Sequence, residues 1–272
     1  MNRIDAKFEA LREAGQAAFI PYIVCGDPDL DTTAEIVLGL AEAGADVIEF
    51  GVPFSDPVAD GVANQEGALR ALTQGTSIAD CIALAGRIRE KSEVPILLFT
   101  YYNPIFVYGT EKFIQACVEV GIDGVLCVDL PIEEADDYIA AMRAAKLCTV
   151  FLIAPTTSPE RAARIAKACT GFVYYVSRTG VTGEQAAVAQ TVHGMVDRIK
   201  EVTPVPVAVG FGISKPEHAS EVAAYADGVV VGSHIVRKIG ELGKGPGTAR
   251  AVVEFVKPLI DATKSASRTP AG

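Results

Sequence analysis

Short, continuous apolar runs alternate with longer amphipathic stretches along almost the whole chain. The runs are Ala18–Cys25, Asp46–Phe50, Pro95–Thr100, Gly124–Val128, Thr149–Ile153, Phe172–Val176, Val205–Val209 and Gly228–Val231. Apolar residues fill both alternating positions, as in strands buried on both faces of a parallel sheet. Between the runs the apolar residues recur at helical spacing. Thr32–Ala43 sets Ala34, Ile36, Val37, Leu40 and Ala41 on one side. The stretches Ile78–Ile88, Phe113–Val120, Glu133–Ala145, Pro159–Ala168, Val192–Val202, Pro216–Tyr225 and Ala249–Ala262 behave alike. Pro159 and Pro216 follow Ser158 and Lys215 and suit the first turn of a helix. Ahead of the first strand, Ile4, Phe8 and Leu11 mark a short amphipathic helix.

Eight βα units at roughly 30 residues each give the roughly 250 residues of a (β/α)₈ barrel. An open, doubly wound sheet is the competing architecture. Regular alternation without a linker, repeat or low-complexity break favours one closed α/β domain, a TIM barrel over residues 1–263. It carries an extra N-terminal helix and a short extra helix after the eighth strand. Residues 264–272 are expected to form a frayed tail.

Composition narrows the range of functions. At 272 residues and 50% hydrophobic the chain can bury a large core, and its net charge of -10 lacks the basic face that nucleic acid or an acidic membrane needs. An anionic small molecule remains open, bound largely through backbone amides. No apolar run reaches the roughly 18–20 residues of a membrane span, and the N-terminus lacks a signal-type stretch, so a cytoplasmic chain is expected. The six cysteines form no C-x-x-C pair and read as buried hydrophobes in a reducing compartment. The three histidines, His193, His218 and His234, show no ligand spacing, and no metal is expected.

The chemistry concentrates in Ile48–Gly61, which reads Ile-Glu-Phe-Gly-Val-Pro-Phe-Ser-Asp-Pro-Val-Ala-Asp-Gly. Glu49 stands among apolar strand residues, where a carboxyl is costly unless paired or used. Asp56 and Asp60 follow in the next loop, where acids can converge on one bound molecule, though both also suit turns. Three later strand ends carry glycine-rich turns: Ser177–Gly183, Gly210-Phe-Gly-Ile-Ser214 and Gly232-Ser-His234. Glycine lets backbone N–H groups approach an anion, and a helix start adds favourable partial charge. Turns after strands seven and eight, with a short extra helix, are where many barrels hold a phosphate. Gly210-Phe-Gly-Ile-Ser is no dinucleotide fingerprint, and Gly243-Lys-Gly245 lacks P-loop spacing.

Together these segments resemble the α chain of tryptophan synthase over nearly the whole sequence. The likeness rests on Pro21-Tyr22 with Gly26-Asp27-Pro28, on Glu49–Gly61, and on Val128-Asp-Leu-Pro131. Tyr174 with Ser177–Gly183, Gly210–Ser214 and Gly232-Ser233 complete it. The resemblance implies a barrel that cleaves indole-3-glycerol phosphate to indole and glyceraldehyde 3-phosphate. Indole then passes to a β chain that holds pyridoxal phosphate, in an α₂β₂ assembly, with no cofactor in the α chain itself. It implies Glu49 and Asp60 as the catalytic pair, with Tyr174 beside the Glu. Thr182 would meet the Asp when its loop closes. The phosphate would contact Gly183, Phe211, Gly212, Gly232 and Ser233. The indole ring would lie among Tyr22, Phe99, Val128, Ile153 and Phe211. The β-chain contact would fall on Asp56, Pro57, Asn103 and Pro104. A proton-donating Glu49 among apolar neighbours should also have a raised pKa.

Three places depart from the family pattern: Tyr22 for the usual Phe, Phe50 for a smaller aliphatic, and Val62-Ala63-Asn64 after Gly61. They bear on pocket shape and loop stiffness and leave the reacting groups in place. Competing readings are a stand-alone indole-producing lyase, a binding subunit for a β chain, and another phosphate-binding barrel isomerase. The isomerase reading explains the glycine turns but not the Glu49–Asp60 pair.

Overall fold

The computed structural model describes residues 1–176, 185–210 and 212–268. Its strands are β1 (Ala18–Val24), β2 (Ile48–Gly51), β3 (Ile96–Thr100), β4 (Gly124–Cys127), β5 (Cys148–Val150), β6 (Leu152–Ile153), β7 (Val173–Val176), β8 (Val207–Gly210) and β9 (Gly228–Val231). They form one parallel sheet in the order β5-β4-β3-β2-β1-β9-β8-β7-β6. The two ends of that order, β5 and β6, are separated in the chain by Phe151 alone. They are one expected strand split in two, the first part pairing with β4 and the second with β7. The sheet therefore closes on itself as a (β/α)₈ barrel, and the open doubly wound alternative is excluded.

Strand alternation sorts the core into two layers. Residues such as Ile23, Phe50, Leu98, Val125, Tyr175 and Val209 face outward and pack beneath the helices. Ala18, Ile20, Leu97, Leu126, Val150, Tyr174, Ala208 and Val230 fill the interior. Into that interior, at the end where the strands begin, the helix Arg3–Glu13 inserts Ile4, Phe8 and Leu11. Phe8 meets Phe172 with ring centroids 5.6 Å apart.

Three aspartates that precede β2, β4 and β9 tie neighbouring strands together at the same end. The carboxylates of Asp46, Asp123 and Asp227 accept backbone N–H bonds from Phe19 (2.8 Å), Ile96 (2.9 Å) and Val207 (3.0 Å). Each also meets cations: Asp46 pairs with Lys264, Asp123 with Arg89 and Arg3, and Asp227 with Lys200 and Arg268. Residues 264–268, placed by sequence in the tail, thus supply two of these partners; residues 269–272 lie outside the described residues. Asp123 is almost fully buried, and burial raises its pKa despite the bonds from Ile96, Arg89 and Arg3. Asp123→Asn keeps an acceptor for Ile96 but removes the charge facing Arg89. We expect a stability loss of roughly 2 kcal/mol, the scale of a hydrogen bond to a charged group. A shift of the urea midpoint at unchanged slope would register it.

The helices match the expected set to within a few residues, except that Gln185–Val202 starts seven residues before the expected Val192, and there are additions. The short extra helix expected after the eighth strand is Ser233–Leu242, ten residues long. Val62–Thr73 is a full helix to which the apolar pattern assigns no element, because its buried side consists of Ala63, Gly67, Ala68 and Ala71. Such small residues leave little apolar contrast to read. Tyr102–Tyr108 buries only Ile105 and gives no periodic signal.

Candidate active site

Glu49 sits between Ile48 and Phe50, both of which face the outer layer, so alternation turns its carboxyl into the barrel. It is fully buried, and neither oxygen has a hydrogen-bond partner among the described residues. Burial pushes its pKa up to about 8. The expected shift is present, and the group holds its proton at neutral pH.

Its neighbours follow from the register. Tyr22 lies directly across from Glu49 on β1, and Leu97 across from it on β3. The Tyr22 ring meets Phe99 edge-on at 5.1 Å. Its hydroxyl lies over Gly51, and that of Tyr174 over Gly210; a Cβ at either glycine would collide with the phenol. Burial raises the pKa of both phenols, and the charges of Asp60 and Glu49 add to the effect on Tyr22 and that of Glu49 to the effect on Tyr174. Phe99 and Val128 are half-buried and border the interior layer.

Ile153 is a correction to the expected pocket. It packs in the outer layer, as does Tyr175, its partner across the sheet. Leu152 takes the interior position on β6, opposite Tyr174. Within a run apolar at every position, sequence cannot say which residues face in.

Asp60 ends the loop that follows β2 and stands one residue before Gly61, the cap of the helix Val62–Thr73. The Tyr101 hydroxyl donates to Asp60 Oδ2 at 2.7 Å and accepts from the Ala59 N–H at 3.0 Å. Asn64 Nδ2 approaches Asp60 Oδ1 at 3.4 Å. Burial raises the Asp60 pKa, and these two side-chain bonds oppose the rise. Tyr101 is itself buried, its ring tilted against Phe54 with centroids 5.1 Å apart. Sequence reading missed both Tyr101 and Asn64. The available signal was position: Tyr101 directly follows β3, at the strand end where barrel sites form.

The turns after β8 and β9 leave side by side, since Gly210 pairs with Val230. Gly212 has φ +45°, a left-handed conformation that favours glycine. Gly232 caps the helix Ser233–Leu242, its carbonyl accepting from Ile235 and Val236 at 2.8 and 3.1 Å. A Cβ on Gly232 would stand 3.3 Å from the Tyr22 Cβ, so this helix start borders the same pocket as Glu49. The unpaired N–H groups of a first helical turn suit an anion there. Thr182, Gly183 and Phe211, with the rest of the Ser177–Gly183 turn, lie outside the described residues.

Asp56 and Asn103 are exposed, and Pro57 and Pro104 half-buried, on the loop after β2 and the helix Tyr102–Tyr108. The Tyr101 bonds to Ala59 and Asp60 tie these two segments together. Val58, Phe106 and Val107 are largely exposed on them. Among the described residues, no group of His, Cys, Asp or Glu could hold a metal ion.

A closed barrel with a buried, protonated carboxyl inside it, and a second carboxylate in the loop beyond the same strand, has the groups suited to acid–base chemistry on a small molecule. Residues 8–264 match the family model described as tryptophan synthase alpha chain. The chain is 47% identical to the tryptophan synthase alpha chain of Opitutus terrae, over 97% of this chain and all of that one. Among solved structures it is similar to tryptophan synthase subunit alpha from Legionella pneumophila, with TM-score 0.88 and 35% identity over 97% of this chain and 98% of the other. It is likewise similar to a chain of M. tuberculosis tryptophan synthase, with TM-score 0.87 and 31% identity over 99% of this chain and all of the other. The chain belongs to the tryptophan synthase alpha chain family.

Proposed function

We propose that Glu49 and Asp60 perform the α-chain half-reaction, cleavage of indole-3-glycerol phosphate to indole and glyceraldehyde 3-phosphate. The observation that carries this reading is the buried Glu49 carboxyl, without a partner among the described residues and protonated at neutral pH. A group of this kind gives its proton to indole C3. The ring then carries positive charge at its nitrogen, and the Asp60 carboxylate accepts the hydrogen bond from the ring N–H. Glu49, now ionised in an apolar site, takes the proton from the adjacent side-chain hydroxyl. The bond between C3 and the side chain breaks, its electron pair returns to the ring, and the hydroxyl carbon becomes the aldehyde. One carboxyl thus serves as acid and then base.

Tyr22, Phe99 and Val128 form the ring-binding wall, with Leu152 in the place expected of Ile153. Backbone N–H groups of Gly212, Gly232 and Ser233 hold the phosphate, and Gly183 and Phe211 are expected to join them. Thr182 is expected to meet Asp60. The β chain, which holds the pyridoxal phosphate of the synthase, docks on Asp56, Pro57, Asn103 and Pro104. The exposed Val58, Phe106 and Val107 support an apolar contact at that place. Among the described residues no helix is long and apolar enough to cross a membrane. Six free, buried thiols suit the reducing cytoplasm, where we place the chain.

The test is indole release from indole-3-glycerol phosphate by the purified chain, with and without a tryptophan synthase β chain. Slow release that rises sharply with β chain is expected. Fast release unaffected by β chain would identify a stand-alone lyase, and no release in either mixture would refute the reading.

A further inference from the structure

Arg70, on the helix Val62–Thr73, makes a two-pronged bond to Asp27: Nε to Oδ1 and Nη2 to Oδ2, each 2.8 Å. Asp27 is fully buried and lies just beyond the end of β1. The same Nη2 donates to the carbonyl of Val236 at 3.3 Å. Val236 belongs to the first turn of Ser233–Leu242, the helix that starts at the phosphate turn.

The two helices make room for this contact by omitting side chains. A Cβ on Gly240 would stand 2.8 Å from Arg70 Nη1. A Cβ on Gly67 would stand 2.6 Å from Val236 Cγ1 and 3.1 Å from Asp27 Oδ2. One guanidinium therefore sits in the crossing of two helices whose beginnings flank the pocket. The first begins directly after Asp60, the second at Gly232. A planar fork fixes direction as well as distance, which a flexible ammonium does not.

We propose that the Asp27–Arg70 couple is a positioning device that sets the span between the Asp60 carboxylate and the Gly232-Ser233 turn. The couple touches no reacting atom. It matches the separation of the two anchor points to a substrate carrying an indole at one end and a phosphate at the other. This rests on the functional reading above. A couple serving stability alone would lower the melting temperature and leave the folded enzyme's kinetics unchanged.

The experiment compares wild type, Arg70→Lys and Asp27→Asn, each confirmed folded by circular dichroism at the assay temperature. Two quantities are read: kcat/KM for indole-3-glycerol phosphate, and the Kd of two probes. One probe is glycerol 3-phosphate, which reaches only the phosphate turn. The other is an uncleavable analogue joining indole to a three-carbon phosphate chain. The expected result is a loss of about tenfold or more in kcat/KM and in affinity for the joined analogue, the scale of one charge-assisted bond. Affinity for glycerol 3-phosphate should change less than about threefold, since the turn itself is intact. Gly240→Ala, which crowds the guanidinium from the other side, should reproduce the pattern. Unchanged kinetics in the folded variants, or equal losses for both probes, would overturn the proposal while leaving the lyase assignment standing. A wild-type chain that neither cleaves the substrate nor binds the joined analogue would overturn the functional reading, and the proposal with it.

Discussion

Replacing Glu49 by Gln is expected to lower turnover of indole-3-glycerol phosphate by about 10²–10⁴ and to leave the fold intact. The two halves of this expectation share one cause. With its pKa raised to about 8, Glu49 is a neutral carboxyl at pH 7, and Gln copies its shape and polarity. What Gln cannot copy is the mobile proton. Retention of more than about a tenth of wild-type turnover would contradict the assignment.

The same substitution has a second readout in stability. The folded-state pKa of Glu49 lies above the ordinary value of 4.5, so between about 4.5 and 8 the folded chain binds more protons than the unfolded chain. Stability then falls as pH rises through that window, by at most about 1.4 kcal/mol per pH unit from this group. Below the window the contribution is flat. The Gln variant has no such slope, so it should gain on wild type in denaturant midpoint between pH 5 and pH 8. A constant difference across that range would mean that Glu49 ionises normally in the folded chain. In the enzyme itself, loss of the acid form should appear as a falling limb of kcat/KM near pH 8.

Asp60→Asn carries the other large effect, an expected loss of about 10²–10³ in kcat, the scale found when a preorganised stabilising group is removed. The side-chain oxygen of Asn can still accept from Tyr101, so the loop should keep its place. The negative charge facing the ring nitrogen is gone. Tyr101→Phe makes the opposite change, keeping the charge and releasing its tether, and should lose about tenfold. Steady-state kinetics of both variants decide the matter by rank. If Tyr101→Phe lost as much as Asp60→Asn, orientation rather than charge would be the main contribution of Asp60.

Sequence revealed the barrel where residues are large and apolar. Runs such as Pro95–Thr100 and Gly228–Val231 fit buried parallel strands, and the observed β3 and β9 lie within them. Glu49 was legible for the opposite reason, as one acid in an apolar run. The helix Val62–Thr73 was not, since alanine and glycine face the core and Val62 and Leu69 face solvent. Its packing rests on the omission of side chains at Gly67, and omission leaves little trace in a hydropathy pattern. The split strand at Phe151 and the choice of Leu152 over Ile153 were hidden by uniform apolarity. Tyr101 was hidden because its partner lies 41 positions away, on a different loop. Contacts of that range are properties of the closed barrel.

The helix Arg3–Glu13, with Ile4, Phe8 and Leu11 driven among the interior residues, gives the molecule the form of a cup with a sealed base. Indole is small, uncharged and apolar, and would leak through any greasy gap in its container. Among the described residues Leu97, Leu126, Val150 and Val230 pack with this helix in one buried cluster, so a freed ring is expected to leave at the rim. The rim is also where Val58, Phe106 and Val107 are exposed. A snug cap over that opening would send the product onward.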